Sequence, residues 1–185
     1  MKYNMSWQGS VFSAEKCQEL INEYAPKIEK ALTYEEGEST VRKSNIVWVF
    51  DQDLKRYIFD IISSHNRQGF GFLLDFTYFD LQFTEYLAEE GGHYDWHIDT
   101  VPSSSKTRQE ESIFDRKLSI TILLSDPNEF QGGDLEFVGE PMDPRIYRQQ
   151  GAAVIFPSFL AHRVSPITQG KRYSLVAWIE GPQFR

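Results

Sequence analysis

The second half of the chain consists of short apolar, β-branched and aromatic runs, and this pattern restricts the fold more than any other feature. The clearest runs are Phe76 to Leu87, Leu118 to Ser125, Ala152 to Phe156 and Tyr173 to Ile179. Glycine- and proline-containing turns separate them, and no helical periodicity lies between them, which disfavours a β-α-β alternation. The pattern therefore predicts an antiparallel sandwich or jelly roll.

The first part of the chain predicts two amphipathic helices. Residues 13–34 carry apolar residues at spacings of three and four after Ser13, a suitable N-cap, and Pro26 should kink or split this helix. Asp51 could cap a second helix with an apolar stripe from Leu54 to Ile62. We expect both helices to cover one face of a sheet.

These two parts predict an α+β, mainly β protein of one domain, residues 1–185. Helical support is expected at residues 1–70 and the jelly-roll core at residues 71–182. Near the end, His162 to Val164 and Tyr173 to Ile179 are predicted to form a hairpin across an intervening turn.

The composition restricts the cellular compartment and the classes of binding partner that we expect. The net charge of −8 would repel a phosphate backbone, so nucleic acid is disfavoured. Cys17 is the only cysteine, which excludes an intrachain disulfide and suits a reducing compartment. Residues 1–10 lack the apolar core of a signal peptide, and no apolar run approaches a membrane span. We expect a cytoplasmic protein with no membrane partner.

A histidine and a carboxylate stand two residues apart in His97-Ile98-Asp99. In an extended strand both side chains would project from one face, and they are two of the three ligands of a 2-His-1-carboxylate metal site. His162 could supply the third ligand, since a jelly roll brings distant segments together. The alternative is a surface pair on an edge strand. His65 and His93 are expected to be ordinary solvated histidines.

Arg172 lies ten residues after His162, at the start of the last predicted strand. By the two-residue repeat of a strand, it shares a face with Ser174, Val176 and Trp178. An arginine fork beside a hydroxyl, pointing into a barrel near a metal, suits a small dicarboxylate.

Together these residues resemble the 2-oxoglutarate- and iron(II)-dependent oxygenases. The resemblance is closest to the prolyl-4-hydroxylase-like branch, especially bacterial and phage PKHD-type hydroxylases, and it runs in order over about residues 76–180. It is carried by Tyr86, Tyr94 to Asp99, Leu118 to Pro127, Gly132 to Leu135, Phe156 to Ser158 and His162 to Arg172.

The resemblance implies a double-stranded β-helix, a jelly roll of the cupin-like type, with N-terminal helices packed on one sheet. It also implies that His97, Asp99 and His162 bind iron(II) and that Arg172 pairs with the distal carboxylate of 2-oxoglutarate. Tyr86 matches a tyrosine that often contacts this cosubstrate, although it stands eleven residues before His97, slightly further than expected.

One position departs from the pattern, because Leu123 falls where related enzymes often carry a tyrosine for 2-oxoglutarate. Ser119, Thr121 and Ser174 are then candidate substitute hydroxyls, with packing as the alternative for Thr121 and Ser174. Trp178 is expected to pack against the cosubstrate pocket.

Four residues are candidates for binding substrate. Arg42 and Trp48 form part of a polar and aromatic patch near a place where related enzymes bind substrate, and the alternative for Trp48 is packing beneath the helices. Tyr94 and Asp95 adjoin the metal motif. Asp95 shares the predicted face of His97, and a solvated carboxylate at the strand end is its alternative.

The predicted function is a dioxygenase that hydroxylates an aliphatic carbon, using iron(II), 2-oxoglutarate and O2, with ascorbate as a candidate reductant. The first-choice substrate is a prolyl residue of a peptide or protein, and succinate and CO2 are released. Residues 100–116 are predicted to form a mobile loop that could close over the substrate. The alternatives are the same chemistry on a free amino acid or small metabolite, or a non-catalytic jelly-roll module that binds a metal or ligand.

Overall fold

Two helices precede most of the strands, and both begin where the sequence predicts. In the computed structural model, which describes residues 6–30, 41–77, 79–100, 114–139 and 142–183, helix α1 spans Ala14–Tyr24 and helix α2 spans Gln52–His65. The Ser13 side chain accepts a hydrogen bond from the backbone N–H of Lys16. Asp51 caps α2 in the same way, through the N–H groups of Asp53 and Leu54.

The prediction that the first helix continues to residue 34 was wrong for its described part. α1 ends at Tyr24 and passes into a 3-10 turn, Ala25–Lys27, after which Glu29–Lys30 is a strand. Pro26 explains the change, because proline removes a backbone N–H and its ring clashes with the preceding helical turn. Residues 31–34 lie outside the described part of the chain.

The described residues form twelve strands and one further short α-helix, α3, at Pro144–Tyr147. The strands are β1 Ser6–Ser10, β2 Glu29–Lys30, β3 Arg42–Lys43, β4 Asn45–Trp48, β5 Phe79–Leu87, β6 His93–His97, β7 Phe114–Leu123, β8 Phe130–Gly132, β9 Leu135–Phe137, β10 Ala152–Pro157, β11 His162–Val164 and β12 Ile167–Pro182.

All the pairings between these strands are antiparallel, and they build two sheets. Among the described residues, the larger sheet runs β1-β10-β7-β12-β5-β4-β2, with β8 also paired to β12. The smaller sheet runs β3-β6-β11-β9. This is the predicted jelly roll, in which consecutive strands are not always neighbours.

The predicted hairpin near the end of the chain was wrong. β11 pairs with β6 and β9 in the smaller sheet, whereas β12 pairs with β5, β7 and β8. The chain crosses from one sheet to the other at Ser165 and Pro166. Because of this crossing, His162 and Arg172 lie on opposite sheets.

The larger sheet separates the helices from a cavity. On one face, fully buried apolar side chains of the strands pack against both helices, as expected, and each contributes roughly 1.5–3 kcal/mol through burial. On the other face, polar and aromatic side chains meet the smaller sheet. The helix-side cluster includes Leu20, Ile58, Ile62, Leu81, Phe83, Leu118, Ile120, Ile122, Leu175, Ala177 and Ile179. Neither α1 nor α2, nor any other helix in the described ranges, is long and apolar enough to cross a membrane.

Candidate active site

The three predicted metal ligands lie together at one end of the cavity. His97 ends β6 and pairs directly with His162, the first residue of β11. The Nε2 atoms of His97 and His162 lie 3.6 Å and 3.5 Å from the Asp99 carboxylate. One ligand atom from each of the three side chains lies within 4.8 Å of the other two. Two imidazoles and one carboxylate are a donor set that suits iron(II).

Both histidines present the nitrogen that a metal requires. The Nδ1 atom of His97 donates to the carbonyl of Asp95 at 2.7 Å, and Nδ1 of His162 donates to the carbonyl of Leu160 at 2.8 Å. These bonds fix the tautomer and leave each Nε2 with its lone pair. Burial, followed by the neighbouring His162, lowers the pKa of His97 to about 4, so its imidazole is neutral at pH 7.

Asp99 reaches the site by a different route from the one predicted. β6 ends at His97, so Asp99 lies in a bend rather than two residues along an extended strand. Its backbone N–H donates to the carbonyl of Ser158 at 2.8 Å, and its Oδ2 accepts from the Ser119 hydroxyl at 2.6 Å. Contacts with β7 and with the end of β10 therefore place the carboxylate.

A β-bulge changes which neighbours of His97 face the cavity. Three residue steps on β6, from Tyr94 to His97, pair with two steps on β11, from Val164 to His162, so the strict two-residue alternation fails there. Tyr94 lines the cavity, and its ring stacks on the His97 imidazole with centroids 3.4 Å apart. Asp95 is exposed and accepts from the N–H of Trp96. The expectation that Asp95 shares the face of His97 was wrong.

Arg172 occupies the other end of the same cavity, and it is only 4% exposed. It donates to the Ser174 hydroxyl at 3.1 Å, and its guanidinium lies over the Tyr86 ring at 5.5 Å. In the described part of the chain, no carboxylate forms an ion pair with Arg172, and Asp134 pairs with Arg148 instead. Burial lowers the pKa of Arg172 from its ordinary value, which reflects the unfavourable solvation of this charge.

The remaining candidates for the cosubstrate pocket divide into two groups. Thr121 and Trp178 line the cavity, as Tyr86 and Ser174 do. Trp178 is 7% exposed, and its indole Nε1 is a buried donor without a hydrogen-bond partner in the described ranges. Leu123 packs instead in an apolar cluster with Tyr86, and Ser119 bonds Asp99, so Ser119 was wrongly suggested as a substitute hydroxyl near Arg172.

The mouth of the cavity holds the other predicted substrate residues. Arg42 donates to Ser44 at 2.7 Å and to Gln82 at 2.8 Å, and its guanidinium lies over the Tyr94 ring at 4.8 Å. Trp48 is 43% exposed, and its ring lies 6.3 Å from that of Trp178. The alternative of packing beneath the helices was wrong for Trp48, because alternation on β4 turns this side chain to the cavity side.

The two histidines that were not predicted to bind metal, His65 and His93, lie outside the site. Nδ1 of His93 bonds the carbonyl of Gly91 at 2.7 Å, and His65 is the last residue of α2. Neither belongs to the cluster of metal-ligating groups found among the described residues. The predicted loop at residues 100–116 falls mostly at positions 101–113, which are outside the described residues.

The sequence reasoning missed two polar residues at this site. Ser158 is fully buried next to Asp99, and Gln82 is 2% exposed and connects Arg42 with Thr84. A signal existed for Gln82, because the two-residue repeat of the strand places it on the same face as Thr84 and Tyr86. Ser158 ends Phe156 to Ser158, one of the segments that carry the family resemblance, but the sequence assigned it no role in the site.

Comparisons with known proteins agree with this geometry. The sequence profile of the 2OG-Fe(II) oxygenase superfamily matches residues 81–180, more than half of the chain. A PKHD-type hydroxylase of Synechococcus elongatus is 36% identical over 101 residues, which cover 54% of this chain and 42% of the relative. The chain thus spans about two-fifths of the length of the curated relatives it matches.

Solved structures show the same fold. The viral collagen prolyl hydroxylase of Paramecium bursaria Chlorella virus-1, in its 2OG complex, aligns with a TM-score of 0.71 at 18% identity over 97% of both chains. A prolyl-4-hydroxylase of Pseudomonas putida aligns with a TM-score of 0.70 at 22% identity, covering 98% of this chain and 95% of that one. The chain belongs to the 2OG-Fe(II) oxygenase superfamily.

Proposed function

We propose that this chain is an iron(II)- and 2-oxoglutarate-dependent dioxygenase that hydroxylates an aliphatic carbon. Its first-choice substrate is a prolyl residue of a peptide or protein. The observation that carries the proposal is the placement of two groups in one cavity. A His-Asp-His cluster lies at one end, and a buried arginine without a carboxylate partner in the described ranges lies at the other.

His97, Asp99 and His162 would hold iron(II). Their Nε2 and carboxylate atoms are close enough to share one ion, and the second nitrogen of each histidine is already bonded to a backbone carbonyl. Three protein ligands leave coordination positions for other molecules. When bound, the iron centre with its 2-oxoglutarate supplies the oxidation of an unactivated C–H bond by O2, with release of succinate and CO2.

Arg172 would bind the distal carboxylate of 2-oxoglutarate. A buried guanidinium without an anionic partner is costly, and a bound carboxylate offsets this cost through two charge-assisted hydrogen bonds. Ser174 lies 3.1 Å from Arg172 and offers a neighbouring hydroxyl. Tyr86, Thr121 and Trp178 line the same cavity.

The prolyl substrate is supported by resemblance and by the shape of the mouth. The curated relatives are named PKHD-type hydroxylases, and the aligned structures are prolyl hydroxylases. Tyr94 stacks on His97 of the metal cluster, Arg42 lies over the Tyr94 ring, and Trp48 lies next to Trp178 in the cavity wall. Such surface suits a proline ring and the backbone carbonyls around it. Asp95, which is exposed and outside the cavity, would contact only a longer peptide.

The proposal is tested by turnover. Purified protein with iron(II), ascorbate and 2-oxoglutarate should release succinate slowly alone and faster with a substrate, ascorbate keeping the iron reduced. A proline-containing peptide library, analysed by mass spectrometry, should show a mass increase of one oxygen on selected peptides. Binding of 2-oxoglutarate without release of succinate would contradict the enzymatic function and favour the non-catalytic binding module. Turnover of a free amino acid but no peptide would contradict the prolyl-peptide substrate.

A further inference from the structure

Two buried serines adjoin the Asp99 carboxylate, Ser119 by a direct hydrogen bond and Ser158 by a hydrogen bond to Ser119. Ser119 belongs to β7 and Ser158 follows β10, and both side chains are fully buried. Neither residue is among those that line the cavity. Their hydroxyls therefore have no access to a cosubstrate or substrate, and any effect on the site must pass through Asp99.

The hydrogen bonds among these groups have one consistent direction. Ser119 Oγ lies 2.6 Å from Asp99 Oδ2 and 2.9 Å from Ser158 Oγ. An ionised carboxylate only accepts, so the single proton of Ser119 points to Asp99. The Ser158 hydroxyl must then donate to Ser119. The result is a chain from Ser158 through Ser119 to one oxygen of Asp99.

The backbone completes the support. The Asp99 N–H donates to the Ser158 carbonyl at 2.8 Å, and the Ser158 N–H donates to the Lys117 carbonyl at 3.0 Å. Ser158 thus holds the main chain of Asp99 directly and its carboxylate through Ser119. This matters because Asp99 lies in a bend after the end of β6, so no strand pairing fixes it.

We propose that Ser119 and Ser158 are positioning residues that hold Asp99 as a one-oxygen metal ligand. Oδ2 lies 3.5 Å from His162 Nε2 and accepts the Ser119 hydrogen bond. Oδ1 lies 3.6 Å from His97 Nε2 and accepts no hydrogen bond from the described residues, so it is the oxygen left for the ion. A carboxylate that binds through one oxygen keeps one more coordination position available than a carboxylate that binds through both. The inference rests on the proposed function, since it takes Asp99 as an iron ligand.

The test measures binding of Co(II), added as its chloride without cosubstrate, by calorimetry and by the visible absorption of the bound ion. Ser119→Ala should weaken binding about 10- to 100-fold, the usual effect of losing the partner of a metal ligand, and should change the absorption bands. Ser119→Thr keeps the hydroxyl and should bind within about threefold of the wild type. Ser119→Ala/Ser158→Ala should bind no more weakly than Ser119→Ala, because Ser158 acts on the carboxylate through Ser119.

Ser125→Ala is the matched control. Ser125 is 1% exposed, and its hydroxyl accepts from the Tyr173 N–H at 2.7 Å, away from Asp99. This variant should lower the melting temperature but leave Co(II) affinity and absorption unchanged. An equal loss of affinity in Ser125→Ala and Ser119→Ala would overturn the proposal, because it would indicate general loosening of the fold.

Two further outcomes separate this inference from the proposed function. If Asp99→Ala loses Co(II) while Ser119→Ala binds within twofold of the wild type with the same spectrum, the positioning role is wrong and the ligand set stands. If Asp99→Ala binds Co(II) as tightly as the wild type, the ligand set itself fails. Should Ser119→Ala not fold, Ser158→Ala replaces it and must weaken binding at least about threefold, since it removes the second member of the same chain.

Discussion

Replacing Arg172 by methionine should raise the stability of the ligand-free protein and strongly weaken 2-oxoglutarate binding. Arg172 is 4% exposed and pairs with no carboxylate in the described part of the chain. Its charge therefore destabilises the ligand-free protein, whereas the same charge binds 2-oxoglutarate, so the two effects have opposite signs. Replacing buried charged groups by apolar residues of similar volume stabilises proteins by about 1–4 kcal/mol. For a chain of this length, that gain corresponds to a melting temperature about 2–16 °C higher.

The loss of 2-oxoglutarate affinity in Arg172→Met follows from removing the same charge. A buried charge-assisted pair is worth about 2–5 kcal/mol when one partner is removed, so the Kd for 2-oxoglutarate should rise about 30- to 5,000-fold. In the wild type, 2-oxoglutarate at 100 times its Kd should add about 2.7 kcal/mol of stability. At the same concentration the variant should gain no more than about 0.9 kcal/mol.

The assay is thermal unfolding with and without 2-oxoglutarate, in the presence of Mn(II) in place of iron to prevent turnover, together with calorimetric titration. Arg163→Met is the control, since Arg163 is partly exposed and pairs with Glu136 outside the cavity. It should leave 2-oxoglutarate affinity unchanged. An affinity change below about threefold in Arg172→Met, far short of the loss of a buried charged pair, would refute the assignment of the cosubstrate to this end of the cavity.

Three other changes test neighbouring features. Asp99→Ala should abolish Mn(II) binding in calorimetry while the far-ultraviolet circular dichroism stays that of the wild type, because the apolar core does not include this residue; retained affinity would contradict the ligand set. Gly133→Ala should lower the melting temperature and weaken 2-oxoglutarate binding, since its Cβ would lie 2.8 Å from Arg172 Cδ at a φ of +67°. Gly139→Ala has the same conformational cost, at a φ of +77°, but nothing within 4 Å of its Cβ, so it should show a smaller loss of stability and unchanged binding; equal effects would refute the steric argument. The Cys17 thiol is fully buried, and burial raises its pKa to about 11. It should therefore not react with a thiol reagent at pH 8 until the protein unfolds. Rapid labelling of the native protein would show that this part of the core opens.

Local alternation in the sequence was sufficient to predict one wall of the site. Arg172, Ser174, Val176 and Trp178 line the cavity together, as the two-residue repeat of a strand requires. The prediction holds because β12 is long and pairs on both sides in this region. The start of α2 was predictable for a similar reason, since the cap at Asp51 is a local interaction.

Features that depend on strand pairing were not predictable in this way. The bulge that turns Tyr94 inward and Asp95 outward exists because β6 and β11 pair out of step. The predicted hairpin failed because consecutive strands in a jelly roll often belong to different sheets. The support of Asp99 by Ser119 and Ser158 joins three distant segments, so only the folded chain reveals it.

The crossing between the two sheets makes the cavity selective for ligand length. Ser165 is held to Asp134 by two hydrogen bonds of 2.9 Å, one from each backbone N–H, and the Ile167 N–H bonds the carbonyl of Gly92 at 2.8 Å. These bonds hold the segment between His162 and Arg172 to the residues that precede β9 and β6, which limits movement of the two ends of the site relative to each other. We therefore expect dicarboxylates one carbon shorter or longer than 2-oxoglutarate to bind more weakly, since the chain resists a change in the span that they must bridge.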